Sequence, residues 1–299
     1  MFLPSYRRAF TLATGSPTMG AMLISTVLDT PPPSHHRAGM LRALALAGLA
    51  AALLAPQPVS AADLLPHEAS YVVRLGTSPS APSVGTARQL LGKDCGVWRL
   101  ERDVRTEIGF SASLRLTSES ELRGVERDGT LFDYQLRRVQ NGAEQTIAGR
   151  VSVAQNGTRA DLILPSRPLS FTLPAGVVLP VSAFAFVIDA LKRGDTSFSF
   201  MLYDAELTSD ALQVDGGVAP ADTLRPARPD GARLPEGTTW PVEIRFSRTG
   251  ANARPLFTVT LLLHEGGVLD RLTINTGLLA ASVDLVSFKP LPRPDCPTS

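Results

Sequence analysis

The sequence predicts a mainly β protein: a long antiparallel sheet curved into a spiral or open barrel around one central helix at about residues 181–193. Three observations carry this reading. Short runs alternate apolar and polar residues, Asp-Gly and Asn-Gly pairs separate them, and one apolar segment of helical length breaks the rhythm.

The alternation is plain in several places. Trp98 and Leu100 alternate with Arg99 and Glu101, and Leu114 and Leu116 with Arg115 and Thr117. Val242, Ile244 and Phe246 alternate with Glu243, Arg245 and Ser247. Phe257, Val259, Leu261 and Leu263 form a fourth run. Asp128-Gly129, Asn141-Gly142, Asn156-Gly157 and Gly266-Gly267 stand between such runs. Asn-Gly and Asp-Gly suit the positive φ angles of type I′ hairpin turns. The pattern gives about 11–14 strands at this rhythm, and without a βαβ alternation the sheet is expected to be antiparallel.

Pro180 precedes the exceptional segment Val181–Arg193, and Gly194 follows it. At about 100° per residue, Ser182, Asp189 and Arg193 share one narrow stripe. Phe184, Phe186, Val187, Ile188 and Leu191 occupy the rest of the circumference. A helix this apolar must be enclosed on several sides. Phe184 and Phe186 point about 200° apart, so enclosure buries both or sets them at an apolar cleft. A helix lying flat on an open sheet is the alternative. Lys192 and Arg193 suit the C-terminal end of the helix dipole, and Gly194 suits the C′ position. Val214–Thr239 holds Pro220, Pro226, Pro229 and Pro235 and reads as a long surface loop.

The first sixty residues differ in kind. Residues 1–39 show no sustained periodicity and read as an overlong gene start. Met40 opens a pattern of Arg42, the 13-residue apolar run Ala43–Ala55, Pro56, and Val59-Ser60-Ala61 before Ala62. This is the form of a secretory signal peptide, residues 40–61. Its apolar run falls short of the roughly 20 residues that span a bilayer. Residues 62–299 are then expected as a single domain, exported and not integral to the membrane. Four of the 29 basic and one of the 28 acidic residues precede Ala62, leaving 25 against 27. That balance speaks against a nucleic-acid binder.

Cys95 and Cys296 both fall in the exported part. In an oxidising compartment an even pair is expected to form a disulfide. Two free thiols or an intermolecular bridge are the alternatives. Only His67 and His264 remain there, each read as a surface or turn residue. The chain has no Gly-x-Ser-x-Gly elbow, no phosphate loop and no dinucleotide fingerprint. Accordingly no catalytic residue, cofactor or metal ligand is assigned. The carboxylates leave a glycosidase-type pair as the alternative. Asn156-Gly157-Thr158 is read as a turn that matches a glycosylation sequon by chance.

The assembled motifs resemble the EipB-like proteins, cell-envelope integrity proteins of alphaproteobacteria. Pro66-His67-x-x-x-Tyr71 and the Cys95 strand come first. Leu173-Pro174-Ala175-Gly176-Val177-Val178-Leu179-Pro180 leads into the helix. Tyr203-Asp204, Trp240-Pro241-Val242, and Lys289-Pro290 through Cys296-Pro297 follow in order. Two features depart: Ala205 stands where the family usually has Gly, and the Pro-to-Cys spacer at the end is longer. The resemblance implies a periplasmic monomer of a Gram-negative bacterium, its sheet spiralling around a helix and its ends joined by one disulfide. It also implies a fold like that of lipoprotein carriers and envelope-stress sensors.

The expected function is a non-catalytic periplasmic factor supporting envelope integrity. Its partner would be a lipid, a lipidated peptide or an envelope protein, with Phe184 and Phe186 lining an apolar cleft. A carboxylate-dependent envelope hydrolase and a purely structural protein are the competing readings.

Overall fold

Fifteen strands form one continuous sheet, and the order of the strands explains its curvature. The computed structural model describes residues 63–78, 80–109, 111, 115–206, 210–228, 231–250 and 254–296. The proposed gene-start extension (1–39) and signal peptide (40–61) lie outside the described residues.

The first half runs as a meander: β1 (His67–Leu75), β2 (Ser83–Asp94), β3 (Val97–Gly109), β4 (Arg115–Arg127), β5 (Leu131–Gln140), β6 (Ala143–Ala154), β7 (Gly157–Ile163) and β8 (Pro168–Leu173). After β9 (Val177–Val178) comes α1 (Pro180–Lys192), the one α-helix among the described residues. The second half comprises β10 (Ser197–Leu202), β11 (Leu212–Val218), β12 (Thr239–Arg248), β13 (Pro255–His264), β14 (Leu269–Asn275) and β15 (Ala280–Pro290). In space the order is β8 through β1, then β15 back through β9. The first and last long strands therefore pair in the middle, and the two halves are joined there into a nearly closed, barrel-like sheet.

The strand pairs are antiparallel except one. β9 and β10 are parallel, Met201 opposite Val177 and Leu202 opposite Val178. This corrects the expectation of a wholly antiparallel sheet. A two-residue strand shows no alternation, and α1 is the crossover that returns the chain in the same direction. The strand count likewise exceeds the 11–14 expected.

Directly opposed residues share one face. The register Leu91–Leu100–Gly124–Tyr134–Gly149–Leu162 therefore crosses β2 to β7 on the inner face. Val242–Leu261–Leu272–Val283 does the same across β12 to β15. Both rows meet α1 in one apolar core, except that Val283 at the end of the second belongs to a separate cluster. Two glycines on the inner face make room for rings. A Cβ on Gly149 would stand 2.2 Å from Tyr134, and one on Gly124 would stand 2.4 Å from Phe132.

Turn chemistry follows the sequence in two cases of three. Asp128-Gly129 and Asn141-Gly142 have φ of 48° and 64°, and of 50° and 83°. The third turn is different: Ala154 pairs with Gly157, so Gln155-Asn156 forms the turn and Gly157 begins β7.

The ends of the described chain are tied together. Leu64 is buried in the core, and Leu65 donates its amide to Gly266 O at 2.8 Å. Leu291 donates to Pro66 O at 2.9 Å, and Arg293 pairs with Asp63 at 2.6 Å. Cys296 then reaches Cys95 in the β2–β3 turn, with Cα atoms 5.4 Å apart, and the two are bonded. The loop expected at 214–239 starts later, because β11 takes residues up to Val218. Arg225 fastens it: its Nε donates to Thr273 Oγ1 (3.0 Å) and its Nη2 to Asp284 Oδ1 (2.8 Å). Ala232 and Leu234 cover a second, smaller core around Tyr71, Val73, Val283 and Leu285.

The two histidines are buried, which corrects the surface assignment. His67 is inward-facing, in phase with Ala69, Tyr71 and Val73, and its Nδ1 donates to Leu65 O at 2.7 Å. His264 lies beneath residues 236–238 and accepts the Gly266 amide at Nδ1, 2.9 Å away. Burial lowers the pKa of His67, the Leu65 hydrogen bond opposes this, and nearby His264 adds to the lowering.

Two outcomes follow from these anchors. Cys296→Ser, which opens a loop of 201 residues, is expected to lose about 2–5 kcal/mol in chemical denaturation without reductant. A midpoint equal to the parent's would remove the disulfide from the structural account. The depressed pKa of His67 gives a stability contribution that is complete above its ordinary value of 6.5 and is lost as pH falls through the lower folded value. Melting curves taken on acidification should therefore show a smaller drop below pH 6.5 for His67→Gln than for the parent.

Candidate functional site

The site is a cleft between one face of α1 and the inner face of the second half of the sheet. Its construction starts with the helix. Pro180 occupies the first helical position, where the missing amide costs nothing. The residue before it, Leu179, has no side chain able to cap. Glu126, on β4, takes that role from across the core. Its Oε2 accepts the Val181 amide at 2.8 Å, and its Oε1 accepts the Ser182 amide at 2.9 Å and the Ser182 hydroxyl. These are the N2 and N3 donors that an adjacent Asp or Ser would ordinarily satisfy. Burial raises the Glu126 pKa, and the three donors work against that rise. At the other end Gly194 N donates to Leu191 O (3.0 Å) and Asp195 N to Ala190 O (3.0 Å), a Schellman motif.

A cavity of about 230 Å³ lies along this helix. Ala183, Phe184 and Val187 form its floor. Phe200, Ile244, Phe246, Leu261, Leu272 and Ile274, from four strands, form most of its wall. Arg102 and Asp204 are the two charged residues of the lining.

That charged end is a latch between the two halves of the sheet. Arg102 of β3 donates from Nη2 to Asp204 Oδ2 at 2.7 Å and pairs through Nη1 with Glu206 Oε2 at 2.9 Å. Burial opposes its charge, but Asp204 and Glu206 outweigh that and raise its pKa. Ser120 donates to Glu206 at 2.8 Å, and Arg138 donates to the carbonyls of Ala205 and Glu206. Beside them the Tyr134 and Tyr203 hydroxyls are 2.7 Å apart. The Tyr203-Asp204 motif thus ties the end of β10 to β5 and β3, and Glu206 beyond it adds β4. Ala205 keeps a negative φ, so its place does not demand glycine.

Phe184 lines the cleft. Phe186 lies outside the lining and packs on Phe200, with centroids 4.9 Å apart. Both are half-buried, so neither is fully enclosed, and of the two expected to line the cleft only Phe184 does. The helix is enclosed, yet Phe184 faces the cavity, so enclosure does not bury every side. The sequence reading missed Glu126, Arg102 and Glu206. Glu126 and Arg102 carry the same signal: each is charged at an inward position, in phase with Leu122 and Leu100. Among the described residues no group of His, Cys, Asp or Glu could hold a metal ion. Among them no helix is long and apolar enough to cross a membrane.

One helix inside a nearly closed antiparallel sheet, with an apolar cleft beside it, defines a barrel-like β protein. Residues 58–292 match the sequence model of the EipB-like family, and the chain belongs to that family. It is also similar to a β-barrel-like protein of a domain of unknown function from Brucella abortus, known from a crystal structure. The TM-score is 0.64 at 15% identity, over 76% of this chain and 98% of that one. At this identity the likeness concerns the fold. No curated protein matches the chain.

Glu126→Ala leaves two amide donors without their acceptor in a buried place. It is expected to lower stability by about 2 kcal/mol in urea titration. A change below about 0.5 kcal/mol would show that the helix end does not depend on this carboxylate.

Proposed function

We propose that the chain is a non-catalytic periplasmic protein of the cell envelope that holds an apolar or lipidated partner in the cleft beside α1. The cavity of about 230 Å³ carries this reading, because its lining is apolar apart from Arg102 and Asp204. Ligand sites are commonly of this kind, apolar with a few placed polar groups. Family membership supports the envelope role. The Met40–Ala61 pattern and the long-range disulfide support export to an oxidising compartment. The carboxylates near the cleft are engaged in structure: Asp204 and Glu206 by Arg102, Glu126 by the helix amides. This favours binding over hydrolysis.

The test fills the cleft. The purified parent should enhance the fluorescence of N-phenyl-1-naphthylamine, and Leu272→Trp should abolish that signal while keeping a cooperative melt. Equal signals from parent and variant would remove the cleft from the reading.

A further inference from the structure

The charged end of the cleft limits what the cleft can hold. Arg102 and Asp204 are its two charged lining residues, and both are already engaged. Asp204 Oδ2 accepts Arg102 Nη2 at 2.7 Å, and its Oδ1 accepts the Glu206 amide at 2.9 Å. Glu206 Oε2 pairs with Arg102 Nη1 at 2.9 Å, and its Oε1 accepts the Ser120 hydroxyl at 2.8 Å. Arg138 donates to the carbonyls of Ala205 and Glu206. Two guanidinium groups therefore stand with two carboxylates, and the latch carries no net charge.

An ionised head group brought to this end would leave water without gaining a counter-charge. A carboxylate or phosphate would meet Asp204 and Glu206 as well as Arg102, and an ammonium would meet Arg102. Taking a charge out of water without a free partner is unfavourable. Little solvent screens the place, since the Arg102 and Asp204 side chains are 22% and 8% exposed. An uncharged polar group meets no such cost. Arg102 has more N–H groups than its two carboxylate bonds use, and a carboxylate oxygen can accept a second bond. A hydroxyl or a carbonyl can be satisfied by either.

The rest of the lining decides the shape of the guest. Phe184, Val187, Phe200, Ile244, Phe246 and Leu272 offer no hydrogen-bonding side chain, so the polar part of a ligand belongs at the latch. The cavity holds about 230 Å³. A water-sized group fills roughly 30 Å³, which leaves room for one alkyl chain of about eight carbons and not for two chains side by side.

We infer that the cleft takes a single unbranched alkyl chain ending in an uncharged polar group, an alcohol, ester or amide, and that the Arg102–Asp204–Glu206 latch rejects ionised heads. This rests on the binding role proposed for the same cleft and names the chemical class that the role requires.

Displacement of N-phenyl-1-naphthylamine from the disulfide-bonded protein at neutral pH tests it, with 1-octanol, octanoate and octylamine as competitors. Octanol should displace the dye, and octanoate and octylammonium should each be weaker by about tenfold or more. Primary alcohols should gain potency with each added carbon up to about eight and then level off. Asp204→Asn leaves the latch net positive and should strengthen octanoate about tenfold while leaving octylammonium weak. Glu206→Gln makes the same change of charge outside the lining and takes its place if Asp204→Asn no longer melts cooperatively. Octanoate as potent as octanol on the parent, or alcohols whose potency keeps rising well beyond that length, would overturn the inference and leave the cleft reading standing. Octanoate that neither variant strengthens would overturn the part assigned to the latch. A parent that does not bind the dye would overturn the cleft reading and this inference together.

Discussion

The carboxylate of Glu126 is the point on which the interior depends. It comes from a strand of the first half and holds the first amides of α1, the element around which both halves pack. A buried carboxylate is costly unless donors surround it. Here the N-terminal amides of the helix supply the donors, and the positive end of the helix dipole faces the charge. The helix in turn obtains the cap that Leu179 cannot provide. Each group relieves a cost that the other would otherwise carry, and the position of α1 is fixed as a result.

Closure of the sheet follows a similar rule. Arg102 is taken out of water, and it is tolerated because Asp204 and Glu206 hold two of its nitrogens. Ser120 and Arg138 complete the arrangement from β4 and β5. Breaking one member would leave an unpaired charge inside, which costs more than the pair contributes when intact. Such a latch specifies one closed arrangement of the two halves more than it adds to stability. Between the latch and the Glu126 cap, α1 stands away from part of the sheet, and the cleft is the space left there.

Much of this was legible in the residues. The period-two runs at Val242–Phe246 and Phe257–Leu263 became β12 and β13, and the apolar segment after Pro180 became α1. Less legible was whatever depends on contacts between distant segments. Val177–Val178 is too short to show alternation, so the parallel pair was unforeseen. His67 could have been placed inside from its phase with Ala69 and Tyr71. His264 could not, since it lies out of phase with Leu261 and Leu263 and is covered by a loop. The angular argument for Phe184 and Phe186 placed a cleft beside an enclosed helix, but it had no means of telling that Phe184 alone would line it.

The central claim is that α1 is held inside the sheet through its first amides, with the cleft as a consequence. Amide hydrogen exchange of Val181 and Ser182 in the unmodified protein measures this directly. The account predicts that both exchange as slowly as the central amides of β4, because opening them requires the sheet itself to open. Exchange of these two amides as fast as that of the 219–238 loop would contradict it.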